Sequence, residues 1–186
     1  SVLLPGIMIY VIYSFMSSAL LASFQPDADY RYVIHTVNLP GSVAALTKDM
    51  AADFTAVNAD AIENTKADIS DKELDLLAVF PEDFDAQVAA YDPASGTSAP
   101  QVALYYNGTR TESSAAYSLV NDALNAYESS LANKFDVNAG EGFNLASEKD
   151  SSGFMFSSLL PLLLLVFLFS GCMAVAPEAI AGEKER

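Results

Sequence analysis

The sequence predicts an α/β extracytoplasmic domain, with a mixed sheet and flanking helices, inserted between two transmembrane α-helices. The first observation is the charge distribution, because all 24 acidic and nine basic residues lie in 27–150 or after residue 177. Residues 1–26 and 151–177 therefore carry no charged side chain. The second observation is that residues 27–150 alternate strand-like and helix-like stretches, a pattern typical of α/β domains.

Residues 1–26 are predicted to form transmembrane helix 1. A helix needs roughly 20 apolar residues to cross a bilayer core, and this segment has that length. A cleaved signal peptide is the main alternative. Its basic leader is missing, and the uncharged run is longer than the apolar core of a signal peptide. The pattern favours a spanning helix.

Residues 27–150 are predicted to be one acidic domain, with 21 acidic and seven basic residues. Such a surface repels nucleic acid, whose binding needs basic patches, so no nucleic-acid partner is expected. The chain has one cysteine, Cys172, and one histidine, His35. This leaves no internal disulfide and almost no material for a histidine metal site or a Ser-His-Asp triad. No phosphate-binding loop is present, so we expect neither an enzyme site nor a cofactor.

The first half of this domain is predicted to contain two strands and one helix. Tyr32–Asn38 is a β-branched run, and His35 within it is expected to be structural. Pro40 and the next two residues then open a helix. Its apolar face follows spacings of three and four: Val43, Leu46, Met50 and Phe54. Thr55–Ala59 is predicted as a short strand.

The centre of the domain is predicted to contain a helix start, followed along the chain by a buried strand. Ser70 and Glu73 have the spacing of a capping box, ahead of Leu74 and Leu77. Leu76–Phe80 is a short apolar run typical of a buried strand.

A fourth strand and two helices complete the domain. Pro81 suits the first position of a helix that carries Phe84 and Val88 inward. Val102–Tyr106 is predicted as a strand. The last helix is expected over Ser113–Lys134, with one apolar face: Ala116, Val120, Ala123, Tyr127 and Leu131. Residues 135–150 are interpreted as a loop that returns to the membrane.

Two motifs in the domain each have a functional and a structural interpretation. Asn107-Gly108-Thr109 matches a glycosylation acceptor, but Asn-Gly after a strand favours a turn. Residues 68–75 gather carboxylates, but their spacing differs from that of a calcium loop. We expect a solvated helix start there.

Residues 151–177 are predicted to form transmembrane helix 2. A helix this long and apolar on every face is rarely the core of a soluble protein. Pro161 suggests a kink or a local break. Lys184 and Arg186 follow the span closely, which favours a cytoplasmic location for residues 178–186. The protein is then a multi-pass plasma-membrane protein with residues 27–150 outside.

Three stretches resemble ABC-2 type transporter permeases, and they are closest to the sodium-efflux-like branch. The most specific is Phe169–Arg186, which reads FSGCMAVAPEAIAGEKER. The others are Leu76–Phe84 (LLAVFPEDF) and Val102–Asn107 (VALYYN). The chain is interpreted as a piece of a longer polypeptide that covers the first two spans and the domain between them.

This resemblance implies a permease of six spans that works as a dimer, with an identical or homologous second permease copy. ATP would be hydrolysed by separate ATP-binding cassette subunits. Residues 178–186 would begin the cytoplasmic coupling segment, which passes nucleotide-driven movement into the bilayer through five charged residues: Glu178, Glu183, Lys184, Glu185 and Arg186. The exported substrate stays open among sodium, drugs, peptides and lipids.

Two other classes of function fit the same layout. A two-span membrane sensor would bind a ligand on its extracytoplasmic domain and carry a signal inward through the second span. A membrane-anchored scaffold would hold other surface proteins. Four further spans downstream would favour the permease, and a soluble signalling module would favour the sensor.

Overall fold

The computed structural model describes residues 29–184, and it describes their side chains up to Ser170 with the exception of Asp49. Predicted transmembrane helix 1, residues 1–26, lies outside the described residues, as do Glu185 and Arg186. The chain divides into two compact units after Ala146.

The first unit is built on a five-stranded mixed sheet with the order β2-β1-β3-β4-β5. β1 pairs in parallel with β2 and β3, β3 pairs antiparallel with β4, and β4 pairs in parallel with β5. The predicted mixed sheet is therefore confirmed. The strands are β1 (Tyr32–Val37), β2 (Ala52–Ala56), β3 (Leu76–Val79), β4 (Gln101–Tyr106) and β5 (Asp136–Val137).

Helices cover both faces of this sheet. They are α1 (Gly41–Ala44), α2 (Ile62–Ser70), α3 (Phe84–Ala90) and α4 (Thr111–Ser130). Short 3-10 turns connect them at Leu46–Asp49, Ala59–Ala61 and Pro93–Ser95. The predicted inward positions of Phe84 and Val88 in α3 are confirmed, since both are buried.

Alternate residues of each strand enter two separate apolar clusters, as the two-residue period of a strand requires. The larger cluster joins one sheet face to α1, α3 and α4, and includes Ile34, Leu76, Leu104, Val43, Phe84 and Val120. The smaller one joins the other face to α2, and contains Val37, Leu77, Ile69 and Leu74. Phe84 contacts the ring edges of Phe80 and Phe135 within the larger cluster.

The helix predicted after Pro40 is wrong beyond its first turn. α1 ends at Ala44, Leu46 is 37% exposed, and Phe54 lies in β2. β2 must return to pair in parallel with β1, and a continuous helix through Phe54 would leave that edge of the sheet without its strand. The predicted strand Thr55–Ala59 is correspondingly displaced, because β2 covers Ala52–Ala56.

The capping box predicted at Ser70 and Glu73 is also wrong. Ser70 is the last residue of α2, and Lys72 follows it with a positive φ of 68°. The backbone N–H of Glu73 donates to the carbonyl of Asp68 at 2.8 Å, which closes the end of the helix. α2 itself was not predicted, because its sequence IENTKADIS has only two large apolar residues.

The second unit is one helix, α5 (Glu148–Lys184), of 37 residues. Ser147 caps its start, since its Oγ accepts from the backbone N–H of Asp150 at 3.0 Å. The helix begins three residues before the predicted start of transmembrane helix 2. It runs through Pro161 without interruption, so the predicted local break is wrong.

Candidate functional site

One edge of the sheet carries both the segment that enters the first unit and the segment that leaves it. The parallel register pairs Ile34 of β1 with Leu76, the first residue of β3. The antiparallel register pairs Leu76 with Tyr106, the last residue of β4. The amino ends of β1 and β3 therefore lie beside the carboxyl end of β4. We call this border, which is formed by strand ends and not by an outer strand, the entry–exit edge.

The entering segment is fastened to this edge through Asp75. The hydroxyl of Tyr30 donates to Asp75 Oδ2 at 3.0 Å and lies 3.2 Å from Oδ1. The backbone N–H of Val33 donates to Asp75 Oδ2 at 2.8 Å. Tyr30 also contacts the ring of Tyr32 in a T-shaped arrangement, with centroids 5.5 Å apart.

The leaving segment is fastened to the end of β4. The N–H of Tyr106 donates to the carbonyl of Phe143 at 3.0 Å, and the N–H of Leu145 donates to the carbonyl of Tyr106 at 2.7 Å. The N–H of Gly108 donates to Asn144 Oδ1 at 2.8 Å. A Cβ at residue 108 would lie 2.6 Å from Asn144 Nδ2, so a larger residue there would displace the Asn144 side chain from this hydrogen bond. The predicted loop 135–150 is thus partly ordered by backbone pairing.

The entry–exit edge contains a polar group that we call the Asp75 cluster: Tyr30, Asp75, Arg110 and Glu112. The Asp75 side chain is 1% exposed, and Arg110 Nη2 lies 3.1 Å from its Oδ1. Arg110 Nη2 also donates to the hydroxyl of Tyr30 at 3.1 Å, and its Nε lies 3.3 Å from Glu112 Oε2. Its Nη1 donates to the carbonyl of Lys72 at 2.6 Å. One guanidinium therefore joins three chain segments: Tyr30, residues 72–75 and residues 110–112.

Burial changes the acidity of Tyr30 in this cluster and of the neighbouring Tyr32. Burial raises the pKa of Tyr30 above its ordinary value of 10.0, and the hydrogen bond to Asp75 and that carboxylate's charge raise it further. Burial also raises the pKa of Tyr32, with a further contribution from the charges of Asp75 and Glu112. Both phenols stay protonated at neutral pH, so Tyr30 remains a hydrogen-bond donor to Asp75.

A buried side-chain amide next to the cluster holds the neighbouring chain segments together. Asn107 is fully buried, and its side-chain Nδ2 donates to the carbonyl of Ile69 at 3.3 Å. Its Oδ1 accepts from the hydroxyl of Thr109 at 2.7 Å and from the N–H of Thr109 at 3.1 Å. Ser113 Oγ accepts from the N–H of Asn107 and donates to the carbonyl of Asp75. The predicted turn is confirmed, and this amide is not accessible to glycosylation in the folded domain.

The prediction of a solvated helix start over residues 68–75 is wrong for Asp75. That carboxylate lies in the interior, and α2 ends within the segment instead of beginning there. Tyr30, Asp75 and Arg110 were not predicted to lie together. The only signal was Asp75 itself, a carboxylate directly before the buried run LLAV.

At the opposite edge of the sheet lies an open cleft of about 380 Å³. We call it the distal cleft. Its lining combines apolar side chains with two opposite charges: Ser42, Asp85, Val88, Ala89, Tyr127, Leu131 and Lys134. Ser42 Oγ donates to a carboxylate oxygen of Asp85, which links α1 to α3. Among the described side chains, no group of three or more His, Cys, Asp or Glu could hold a metal ion.

The amino-terminal part of α5 is long and apolar enough to cross a membrane over Glu148–Ser170, which is 23 residues, and none of it is buried. At about 1.5 Å per residue this stretch is about 34 Å long, enough for a hydrocarbon core of about 30 Å. The exposed apolar side chains lie on all sides of the helix and include Phe156, Leu160, Leu163, Leu164, Phe167 and Leu168.

Three of the five predicted coupling residues belong to the last part of α5. The helix backbone includes Glu178, Glu183 and Lys184, and their side chains are outside the described part. Glu185 and Arg186 lie outside the described residues altogether.

The chain is similar to the ABC transporter permease protein NatB of Bacillus subtilis (strain 168), with 31% identity over 129 residues. The matched region covers 63% of this chain and 32% of NatB, so the chain spans about a third of that relative's length. No protein-family model matches the chain, and no solved structure matches it. The similarity to NatB supports a permease family.

Proposed function

We propose that this chain is part of the membrane-spanning permease of an ABC-2 type exporter. The permease moves a substrate, such as sodium or a drug-like or peptide molecule, out of the cell using ATP hydrolysed by a separate subunit. The similarity to a curated ABC transporter permease carries the proposal. The chain itself supplies a path and a gate and performs no covalent chemistry.

The exposed apolar surface of α5 supports a membrane location. Thirteen large apolar side chains are exposed in the described part of the protein, and eleven of them belong to α5. Monomeric soluble proteins rarely leave so large a continuous apolar surface in water. Lipid tails remove the cost of that exposure, so α5 is best placed as the second span.

The entry–exit edge supports insertion of the domain between two spans. Tyr30 and Leu145 both lie at this edge, so the chain enters and leaves the first unit at the same end of the strands. Two membrane helices that flank a domain require this arrangement, because both reach the domain from the same membrane surface. In this proposal residues 1–26 form the first span, and residues 27–150 lie outside the cell.

The Asp75 cluster provides a physical link from the first span to the domain. Tyr30 follows the proposed span by a few residues and is held by Asp75 and Arg110. Movement of the span would therefore act on the ends of β3 and β4. A permease that alternates between two states needs such a connection, so that the partner's ATP cycle biases both span and domain.

The coupling partner is an ATP-binding cassette subunit that contacts the cytoplasmic end of α5. A second permease copy would complete the transport path in the plasma membrane. Residues 178–186 carry five charged side chains at this end, of which Glu183 and Glu185 are the most direct targets.

Reversing the charges of Glu183 and Glu185 together tests this proposal in the full-length permease, reconstituted in vesicles with its ATP-binding subunit. E183K/E185K should reduce substrate-stimulated ATP hydrolysis and export by about fivefold or more, the usual range of a coupling free energy. The matched control is E82K/E141K, which reverses two exposed glutamates of the first unit. Unchanged stimulation in the E183K/E185K variant contradicts the coupling role, and failure to assemble with any ATP-binding subunit contradicts the permease role.

A further inference from the structure

The distal cleft lies where the strand order of the sheet reverses. From β1 the chain passes through α1 to β2 on one side, and from β3 it passes through α3 to β4 on the other side. α1 and α3 pack on the same sheet face, because Val43 and Phe84 belong to one apolar cluster. Because both helices lie on that face, they form two sides of the cleft, with Ser42 on α1 and Asp85 on α3.

The floor of the distal cleft is apolar. Val88 and Ala89 follow Asp85 by three and four residues, which places all three on one side of α3. Tyr127 and Leu131, at the carboxyl end of α4, supply the facing wall and pack partly buried against the core. The volume of about 380 Å³ lies within the range of about 300–1,000 Å³ found for small-molecule sites.

Two opposite charges flank this floor. The carboxylate of Asp85 is oriented by the hydroxyl of Ser42. Lys134 is half-buried, and among the described side chains its ammonium has no ion-pair partner. By contrast, Arg31, Lys66 and Arg110 all pair with carboxylates. An unpaired lysine in a domain with three times as many acidic as basic residues is available for an anionic group of a ligand.

We propose that the distal cleft binds a short apolar peptide with free ends. Its ammonium group would pair with Asp85, its carboxylate with Lys134, and its side chains would contact Val88, Tyr127 and Leu131. A zwitterion suits this domain because it has no net charge for the acidic surface to repel. The inference is independent of the permease role, since it concerns binding to the domain alone.

Trileucine is the probe that tests this site. Isothermal titration of trileucine into the detergent-solubilised chain should show saturable binding with a one-to-one stoichiometry. N-acetyl-trileucine and trileucine amide each lack one charged end, and each should bind about tenfold more weakly, as expected when one charge-assisted contact is lost. Absence of saturable binding at a Kd of about 1 mM or tighter overturns the proposal.

Two variants test which residue of the cleft binds each end of the peptide. Lys134→Gln should weaken trileucine binding about tenfold and leave binding of the amide unchanged, because the amide has no carboxylate to lose. Asp85→Asn should weaken trileucine about tenfold and leave binding of the acetylated peptide unchanged. Lys48→Gln and Asp122→Asn change the net charge equally at exposed positions outside the cleft, and both should bind trileucine as the unmodified chain does.

The same titrations can overturn the assignment in two further ways. Equal binding of the free and blocked peptides would mean that neither end is recognised. Equal weakening by Lys134→Gln and Lys48→Gln would mean that only the overall charge of the domain matters.

Discussion

At the residue scale, Asp75 connects parts of the chain that are far apart in the sequence. It accepts hydrogen bonds from Tyr30 and from the backbone of Val33, and it pairs with Arg110. Removal of Arg110 would leave this carboxylate in the interior without its cation, which is strongly destabilising. Loss of Arg110 is therefore expected to destabilise the first unit far more than loss of an exposed arginine.

Arg110→Met should destabilise the first unit by about 3 kcal/mol, the lower end of the range for breaking a buried ion pair, because Asp75 keeps its other two donors. The thermal midpoint should fall by about 10 °C or more. Circular dichroism of the tyrosines in the detergent-solubilised chain measures this midpoint.

Arg31→Met is the matched control, because it removes the same side chain from an exposed ion pair. The side chains of Arg31 and Asp53 are 59% and 62% exposed, and such pairs contribute about 0–1 kcal/mol. Hydrogen bonding to Asp53 raises the pKa of Arg31 without making the pair structurally important. Equal midpoints for the two variants would contradict the central role given to the Asp75 cluster.

Single residues of this cluster were not predictable from the sequence. Asp75 is one of 21 acidic residues in the acidic segment, and nothing in its immediate neighbours distinguishes a buried carboxylate from a solvated one. Its partners are 45 positions before it and 35 positions after it, and only the sheet register brings them together. By contrast, the turn at Asn107 was predictable because Asn-Gly is a local signal.

At the scale of elements, apolar runs predicted strands more accurately than spacing predicted helices. β1, β3 and β4 lie within a residue or two of their predictions, because each is a short β-branched or apolar run. The even spacing of Met50 and Phe54 also fits one face of a strand, and the pairing of β2 with β1 decides against a continuous helix. α2 stayed unpredicted because its stability comes from packing of Ile69 against the sheet.

The last helix of the domain shows the same limit on a smaller scale. It was predicted over Ser113–Lys134 and is observed as α4, Thr111–Ser130. Leu124, not Ala123, is its fully buried residue in that turn. A shift of one position is decided by which side chain fits between the strands, and periodicity alone does not contain that information.

α5 allows a test at this scale, because a charge in the middle of a span opposes insertion. Leu164→Arg should lower the fraction of chains whose second span is inserted, since a central arginine costs about 2.5–3.5 kcal/mol. A tag placed after residue 186 should then become accessible to protease added outside the cell.

The control for this variant is Ser151→Arg, which adds the same charge near the start of α5, where it reaches water. Its tag should stay protected. If Leu164→Arg also leaves the tag protected, or if both arginines expose it equally, the assignment of α5 as a span is contradicted.

At the scale of the whole molecule, charge and chain path agree on one arrangement. The acidic residues lie in 27–150 and after residue 177, and α5 exposes large apolar side chains between Phe154 and Leu168. The entering and leaving segments share one edge of the sheet, while the distal cleft lies at the other. In the proposed insertion between two spans, residues 27–150 lie outside the cell and the carboxyl end of α5 lies in the cytoplasm.

Cysteine labelling in intact cells tests this placement most directly. In a full-length protein whose native cysteines, including Cys172, are replaced by serine, Ser98→Cys and Ala181→Cys supply single thiols. A membrane-impermeant maleimide should label Ser98→Cys in intact cells and Ala181→Cys only after permeabilisation. Labelling of both thiols from the same side of the membrane would contradict the account.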